Sequence, residues 1–250
     1  MNRIGTARYK IILAYDGSNY AGLQRQPSGD SVQDFVEAAL RKVGWQGRSI
    51  MAAGRTDSGV HADGQVISFD LTWKHDTDTL VRAMNAFLPL DIAVQSAEIV
   101  NDEFHARYDA LTRAYRYQLY CQTVRHPVKE RFAWRIWPLP DMTVMNAAAQ
   151  DLIGEHDFAA FGKAMKPGGP TVRLVHSSAW QATVDGMQFD IKANAFLYHM
   201  VRRIVYVLVH VGLGTLPKDI VKQGLETGST GIVRLAPAQG LTLVSVDYKE

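Results

Sequence analysis

At 250 residues, with 47% apolar and 21% charged side chains, the chain can bury a substantial core in one or two domains, and its composition excludes a disordered or fibrous protein. A formal net charge of +2 is too small to signal a nucleic-acid partner by itself, so only the distribution of charge can do so. One cysteine, Cys121, excludes an intrachain disulfide and a Cys-based zinc site.

The N-terminal MNRIGTARYKI lacks the apolar stretch of a secretory signal. Tyr9–Tyr15 is β-rich and reads as a strand. In Ser31–Val43 a helix is expected: Ser31 can cap it, Asp34 completes a capping box, and Val32, Phe35, Val36, Ala39, Leu40 and Val43 form one apolar face. Arg48–Ala53 is the next expected strand. It leads into AAGRTDSGVHADGQV, Ala52–Val66, where Gly54, Gly59 and Gly64 punctuate Arg55, Asp57, His61 and Asp63. Taken alone, Thr-Asp-Ser-Gly is good turn material, and the segment need do no more than turn the chain. Beyond it the pattern gives a strand at Gln65–Leu71, a helix at Asp78–Leu88 stopped by Pro89, and a strand at Ile92–Val100.

This β-α-β-β-α-β order is that of a ferredoxin-like unit, and it recurs. Arg113–Cys121 reads as a strand and Asp141–Ile153 as a helix closed by Gly154. Val172–Thr183 and Met187–Ala193 are strands joined at Asp185-Gly186, a hairpin signal. Asn194 is placed to cap a long helix, Ala195–Val211, and Leu241–Tyr248 closes as a strand. Short helical or irregular insertions fall at Phe132–Pro140, Ala164–Pro170 and Pro217–Pro237. The expected class is α+β: two ferredoxin-like βαββαβ halves, 1–106 and 107–250, with sheets side by side and a cleft on the face opposite the helices. The most apolar run, Ile204–Val211, is far too short for a membrane span, so a cytoplasmic protein with no membrane partner is expected.

Positive charge is uneven. Arg107, Arg113, Arg116, Arg125, Lys129, Arg131 and Arg135 lie close together in sequence, opposed only by Asp109 and Glu130. Tyr108, Tyr115, Tyr117, Tyr120, Phe132, Trp134 and Trp137 interleave with them. Cations that neutralise phosphates and rings that stack on bases are the groups RNA recognition uses, although a solvated charged face over core aromatics gives the same pattern.

GRTDSGVHADGQV, with YDGSNYAGLQRQ, FHAR, RAYRY, DFAAF, IKANAFLYHMVRRIV and Gly240-Leu241, occurs in an order that resembles the tRNA pseudouridine synthase A family. Leu23 stands where that family commonly has an aromatic, and Ser58 where it commonly has alanine. The resemblance implies the pseudouridine synthase fold, with two ferredoxin-like halves around a basic cleft. It also implies a homodimeric isomerase, without cofactor or metal, that converts uridines 38, 39 and 40 of the tRNA anticodon stem-loop to pseudouridine. By the same resemblance the catalytic aspartate is Asp57 and the active-site tyrosine Tyr115. The aspartate's basic partner is Arg202, the base-packing leucine Leu241, and Arg55 helps to open the base stack.

The chemistry suits these residue types. Breaking N1–C1′, turning the uracil, joining C5 to C1′ and removing the C5 proton involves no net redox change or hydrolysis. The base must first leave the stack; Arg55 can fill its place and Tyr115 can hold it. Asp57 is the one carboxylate needed, as a nucleophile at the sugar or as a base on it. A neighbouring guanidinium favours a carboxylate's charged form, which gives Arg202 a role. Two rivals are weaker. A glycoside hydrolase would need a second carboxylate, for which only Asp63 is near in sequence. A non-catalytic RNA-binding module leaves the Arg-Thr-Asp loop unexplained. Adjacent Glu155, His156 and Asp157 cannot aim three side chains at one metal from regular structure, and Gly228–Gly231 lacks the lysine of a phosphate loop.

Overall fold

The computed structural model describes residues 5–249. The N-terminal stretch read above for a secretory signal begins with Met1–Ile4, which lie outside the described residues. The chain forms two compact units: one runs to Leu111 and takes in the chain again from Leu243, and the other spans Thr112–Thr242.

In the first unit the elements are β1 (Thr6–Tyr15), α1 (Val32–Lys42), β2 (Met51–Ala52), β3 (His61–Thr72), α2 (Thr77–Asn85) and β4 (Ile92–Val100). The strands run in the order β4-β1-β3, antiparallel throughout, with β2 paired to β3. Strand alternation decides which side chains go inside: Tyr9, Ile11, Leu13 and Tyr15 of β1 are all buried. The α1 helix opens on the expected capping box, with Ser31 accepting from the Asp34 N–H and Asp34 accepting from the Ser31 N–H. It buries Val32, Val36, Ala39 and Leu40.

That apolar face also carries a carboxylate. Glu37 is 1% exposed. It pairs with Arg25 and, at 3.5 Å, with Arg41; it also accepts from the Gln33 amide at 2.7 Å and the Ile50 N–H at 3.2 Å. This explains why the strand expected over Arg48–Ala53 shrinks to Met51–Ala52. The Ile50 N–H is bound to a helix side chain, and pairing with β3 begins only at the next residue, Met51. Conversely β3 starts at His61, four residues before the expected Gln65, so it takes in half of the glycine segment.

The second unit contains β5 (Thr112–Cys121), the one-turn α3 (Pro127–Glu130), β6 (Trp134–Ile136), α4 (Met142–Gln150), β7 (Gly154–Asp157), β8 (Val172–Ala182), β9 (Gly186–Ala193), α5 (Met200–Gly212) and α6 (Ile220–Thr227). The last strand, β10 (Leu241–Asp247), follows, and its residues from Leu243 belong to the first unit. Strands β5, β9, β8 and β7 are consecutive and antiparallel, and β6 pairs in parallel with the end of β5. The architecture is α+β, as expected.

Two helix boundaries differ from expectation. The α4 helix ends at Gln150, and Gly154, at φ +112°, starts β7 instead of closing the helix. The α5 helix begins at Met200, not Ala195. Asn194 does not cap it: its Oδ1 accepts from the Leu174 N–H, and its own N–H donates to the Leu174 carbonyl, fixing it to β8. Tyr198 then exchanges backbone hydrogen bonds with Lys163, a pairing incompatible with a helix through residues 195–199. Among the described residues no helix is long and apolar enough to cross a membrane.

Glu37→Ala should destabilise the protein by about 2 kcal/mol, because it strips the Ile50 N–H of its acceptor and removes the buried partner of Arg25, which keeps the Arg48 carbonyl and Asp34. Urea unfolding checks this, and a loss below about 0.5 kcal/mol would show that water replaces the carboxylate without cost.

Candidate active site

The Arg55–Gly59 segment is held against residues 17–23 by backbone groups. The Leu23 N–H donates to the Thr56 carbonyl at 3.1 Å, and the Tyr20 carbonyl accepts from the Gly59 N–H at 3.4 Å and from the Ser58 hydroxyl at 3.1 Å. The Gly17 N–H donates to His61 Nδ1 at 3.0 Å. Within the loop, the Val60 N–H donates to the Asp57 carbonyl at 3.1 Å. Ser58, one of the two departures from the family pattern, therefore adds a tie to the loop, and Leu23, the other, is a core residue at 2% exposed.

Two glycines make this contact possible. A Cβ on Gly17 would lie 2.0 Å from the Val60 carbonyl oxygen. On Gly22 it would lie 2.6 Å from the Thr56 oxygen and 3.1 Å from the Asp57 carbonyl carbon, and the residue has φ +89°. No side chain fits there, and L residues rarely adopt that backbone. Gly22 stood unremarked inside the YDGSNYAGLQRQ segment; a glycine next to a buried turn was the available signal.

Side chains alternate along the loop. Arg55 is exposed, Thr56 is buried and Asp57 is half-buried. Thr56 Oγ1 and the Tyr15 hydroxyl share a hydrogen bond of 2.8 Å, and Gln65 Nε2 donates to the Gly54 carbonyl at 3.0 Å. Burial pushes the Tyr15 hydroxyl up to about 12, with the Thr56 and Gln65 side chains opposing, so it is protonated at any working pH.

The other sequence-derived candidates lie in the second unit. Tyr115, on β5, is 9% exposed and meets Phe196 edge-on with ring centroids 5.1 Å apart. Arg202, on the first turn of α5, donates from Nε to the Ala236 carbonyl at 2.8 Å, and the Ala236 N–H returns a bond to the Arg202 carbonyl. Leu241 is buried at the start of β10. Between these residues stands Tyr117, which donates to the Pro237 carbonyl at 2.7 Å. Burial holds its hydroxyl well above the usual phenol range, and the Arg202 charge opposes that. A Cβ on Gly240 would strike the Tyr117 ring at 2.5 Å, which accounts for the glycine of the Gly240-Leu241 pair. The structure thus brings Arg55 and Asp57 together in the first unit, and ties Arg202 through residues 236–240 to the start of β10 in the second.

The basic and aromatic cluster divides in two. Tyr115, Tyr117 and Tyr120 are buried, while Tyr108, Phe132 and Trp137 are exposed. Several cations have acidic partners: Arg116 with Asp190 at 2.8 Å, Arg125 with Glu130 at 2.7 Å and Lys129 with Asp185 at 2.5 Å. Much of the sequence pattern is therefore sheet core and cross-strand pairing.

A family model described as tRNA pseudouridine synthase matches residues 11–109 and 148–249. Relatives named tRNA pseudouridine synthase A include that of Syntrophotalea carbinolica, 42% identical, with 96% of this chain and 95% of the relative covered. Those of Bacillus subtilis, 41% identical over 96% of this chain and 99% of the relative, and Limosilactobacillus fermentum, 39% identical over 96% of both, are similar in extent.

Gly22→Ala should cost about 2 kcal/mol in stability, from the left-handed backbone and the Thr56 oxygen together. The melting temperature should fall by roughly 4–8 °C. An unchanged melting temperature would mean that the two segments separate without penalty.

Proposed function

The chain belongs to the tRNA pseudouridine synthase family and is an isomerase of tRNA uridine; we propose that its targets are uridines 38, 39 and 40 of the anticodon stem-loop. It acts as a cytoplasmic homodimer, with the N-terminal half, 1–106, supplying the catalytic loop and the C-terminal half, 107–250, the remaining groups. The observation that supports this reading best is the Arg55–Gly59 loop: an exposed arginine and a half-buried aspartate flank a buried threonine, on a backbone fixed from below.

Uridine C1′ is inaccessible within a paired stem, so the nucleotide leaves the stack before reaction. Arg55, long, flat and exposed, fills the vacated space. Tyr115 packs against the flipped base and Leu241 gives it an apolar contact. Asp57 acts at the sugar as the nucleophile, the N1–C1′ bond breaks, and the uracil turns until C5 faces C1′. C5 then displaces the Asp57 carboxylate from C1′, the C5 proton departs and N1 ends protonated, so Asp57 is restored and the product is an isomer of the substrate. Arg202 is the cation that sustains the carboxylate. Its bonds to residue 236 orient it on α5.

Tritium release from tRNA transcribed with C5-labelled uridine tests the assignment. Intact protein should release label, and Asp57→Asn should release it roughly a thousandfold more slowly or not at all while still binding the tRNA. Release of free uracil would indicate hydrolysis of the glycosidic bond. Binding without release by the intact protein would leave an RNA-binding module.

A further inference from the structure

Under the Arg55–Asp57 pair lies a buried polar cluster that the isomerisation as written leaves unused. Tyr15 is 4% exposed, Thr56 6% and Gln65 0%. Replacing both Tyr15 and Thr56 by apolar side chains of the same shape would be nearly neutral in stability, because both partners of their bond would go together. The polar choice is therefore explained by direction. Thr56 faces inward, and its neighbours on either side face outward. Its hydroxyl is fixed by Tyr15 at 2.8 Å, its carbonyl by the Leu23 N–H at 3.1 Å, and the carbonyl leading into Arg55 by Gln65 at 3.0 Å. The Asp57 carbonyl is fixed by the Val60 N–H.

We propose that Tyr15, acting through the Thr56 hydroxyl, is a positioning residue that sets the direction in which Asp57 and Arg55 leave the backbone. The proposal rests on the reaction assigned above. A valine or serine in place of Thr56 keeps the buried volume nearly intact, but only serine keeps the hydroxyl. A phenylalanine in place of Tyr15 keeps the ring and removes the hydroxyl that partners Thr56 and lies beside the Gln65 side chain. A loop that is well packed but free to twist still binds RNA through the same surface. It loses the alignment of the carboxylate with C1′, and misalignment of reacting groups is costly in rate.

The test is steady-state C5-tritium release from an anticodon stem-loop transcript by the intact protein, Tyr15→Phe, Thr56→Val, Thr56→Ser and the Tyr15→Phe/Thr56→Val pair, with melting temperatures for each. Tyr15→Phe and Thr56→Val should each lower kcat about tenfold, with KM within about twofold of the parent. The double variant should be no slower than the worse single one, because both remove the same bond. Thr56→Ser should stay within about twofold of the parent. Undiminished kcat in both single variants overturns the proposal, as does a Thr56→Ser variant as slow as Thr56→Val, or a loss confined to KM. Should Tyr15→Phe fail to fold, the Thr56→Val and Thr56→Ser comparison decides alone. Absence of release by the intact protein is a different failure, since it removes the reaction itself.

Discussion

The constraint on which the first unit depends is the contact of two loops through their backbones. Residues 17–23 and 55–60 approach so closely that Gly17 and Gly22 leave no room for a Cβ. In that contact the Thr56 carbonyl is satisfied by Leu23 and the Tyr20 carbonyl by the loop around Ser58. A buried backbone group without a partner is expensive, so a loop carrying chemistry must either remain solvated or find partners nearby. Here the partners come from the segment between β1 and α1. A half-exposed aspartate thus sits on a backbone with little freedom to move.

The second unit solves a similar problem with a side chain. Tyr117, buried within the sheet, spends its hydroxyl on the Pro237 carbonyl and packs its ring against Gly240. The irregular stretch before β10 is thereby fastened to β5, and Arg202 binds the same stretch at residue 236 from α5. Two elements thus converge on the short stretch that ends in the 3-10 turn Ala238–Gly240. The alternation that puts Tyr115 and Tyr117 on one face of β5 also leaves Arg116 outside, where Asp190 on the neighbouring strand pairs with it.

What the sequence made legible follows from range. The α1 capping box and the Asp185-Gly186 hairpin are each written within a few residues, and the structure has both; the first unit also has the β-α-β-β-α-β order, to which the second adds α3, β6, β7 and α6. Two of the errors come from partners distant in sequence. Asn194 looks like a cap until Leu174 claims its amide oxygen, and Arg48–Ala53 looks like a strand until Glu37 takes the Ile50 N–H. The interleaved arginines and tyrosines of 107–135 fit RNA recognition and a charged face over core aromatics alike; the residues that bury Tyr117 or pair with Arg116 and Lys129 come from β9, the turn before it and the segment before β10. Arg55 and Asp57 were visible because their motif is contiguous. Tyr15 and Gly22 stand in the YDGSNYAGLQRQ stretch and Gln65 in the same motif as Asp57, but nothing in either stretch says that the two meet.

The groups under the motif are also distinctive in being neutral. Tyr15, Thr56 and Gln65 carry no formal charge, and burial keeps the Tyr15 hydroxyl protonated. An ion pair in that position would fix the backbone as firmly, but its charges would act electrostatically on the Asp57 carboxylate. It would also require desolvating two charges. The molecule does use a buried carboxylate with arginines, but at Glu37, where the task is to hold α1 against Arg25 and the approach to β2. In the Thr56 cluster, by contrast, the loop that carries Asp57 is held by neutral hydrogen bonds. Its electrostatics then remain for the groups that meet the substrate.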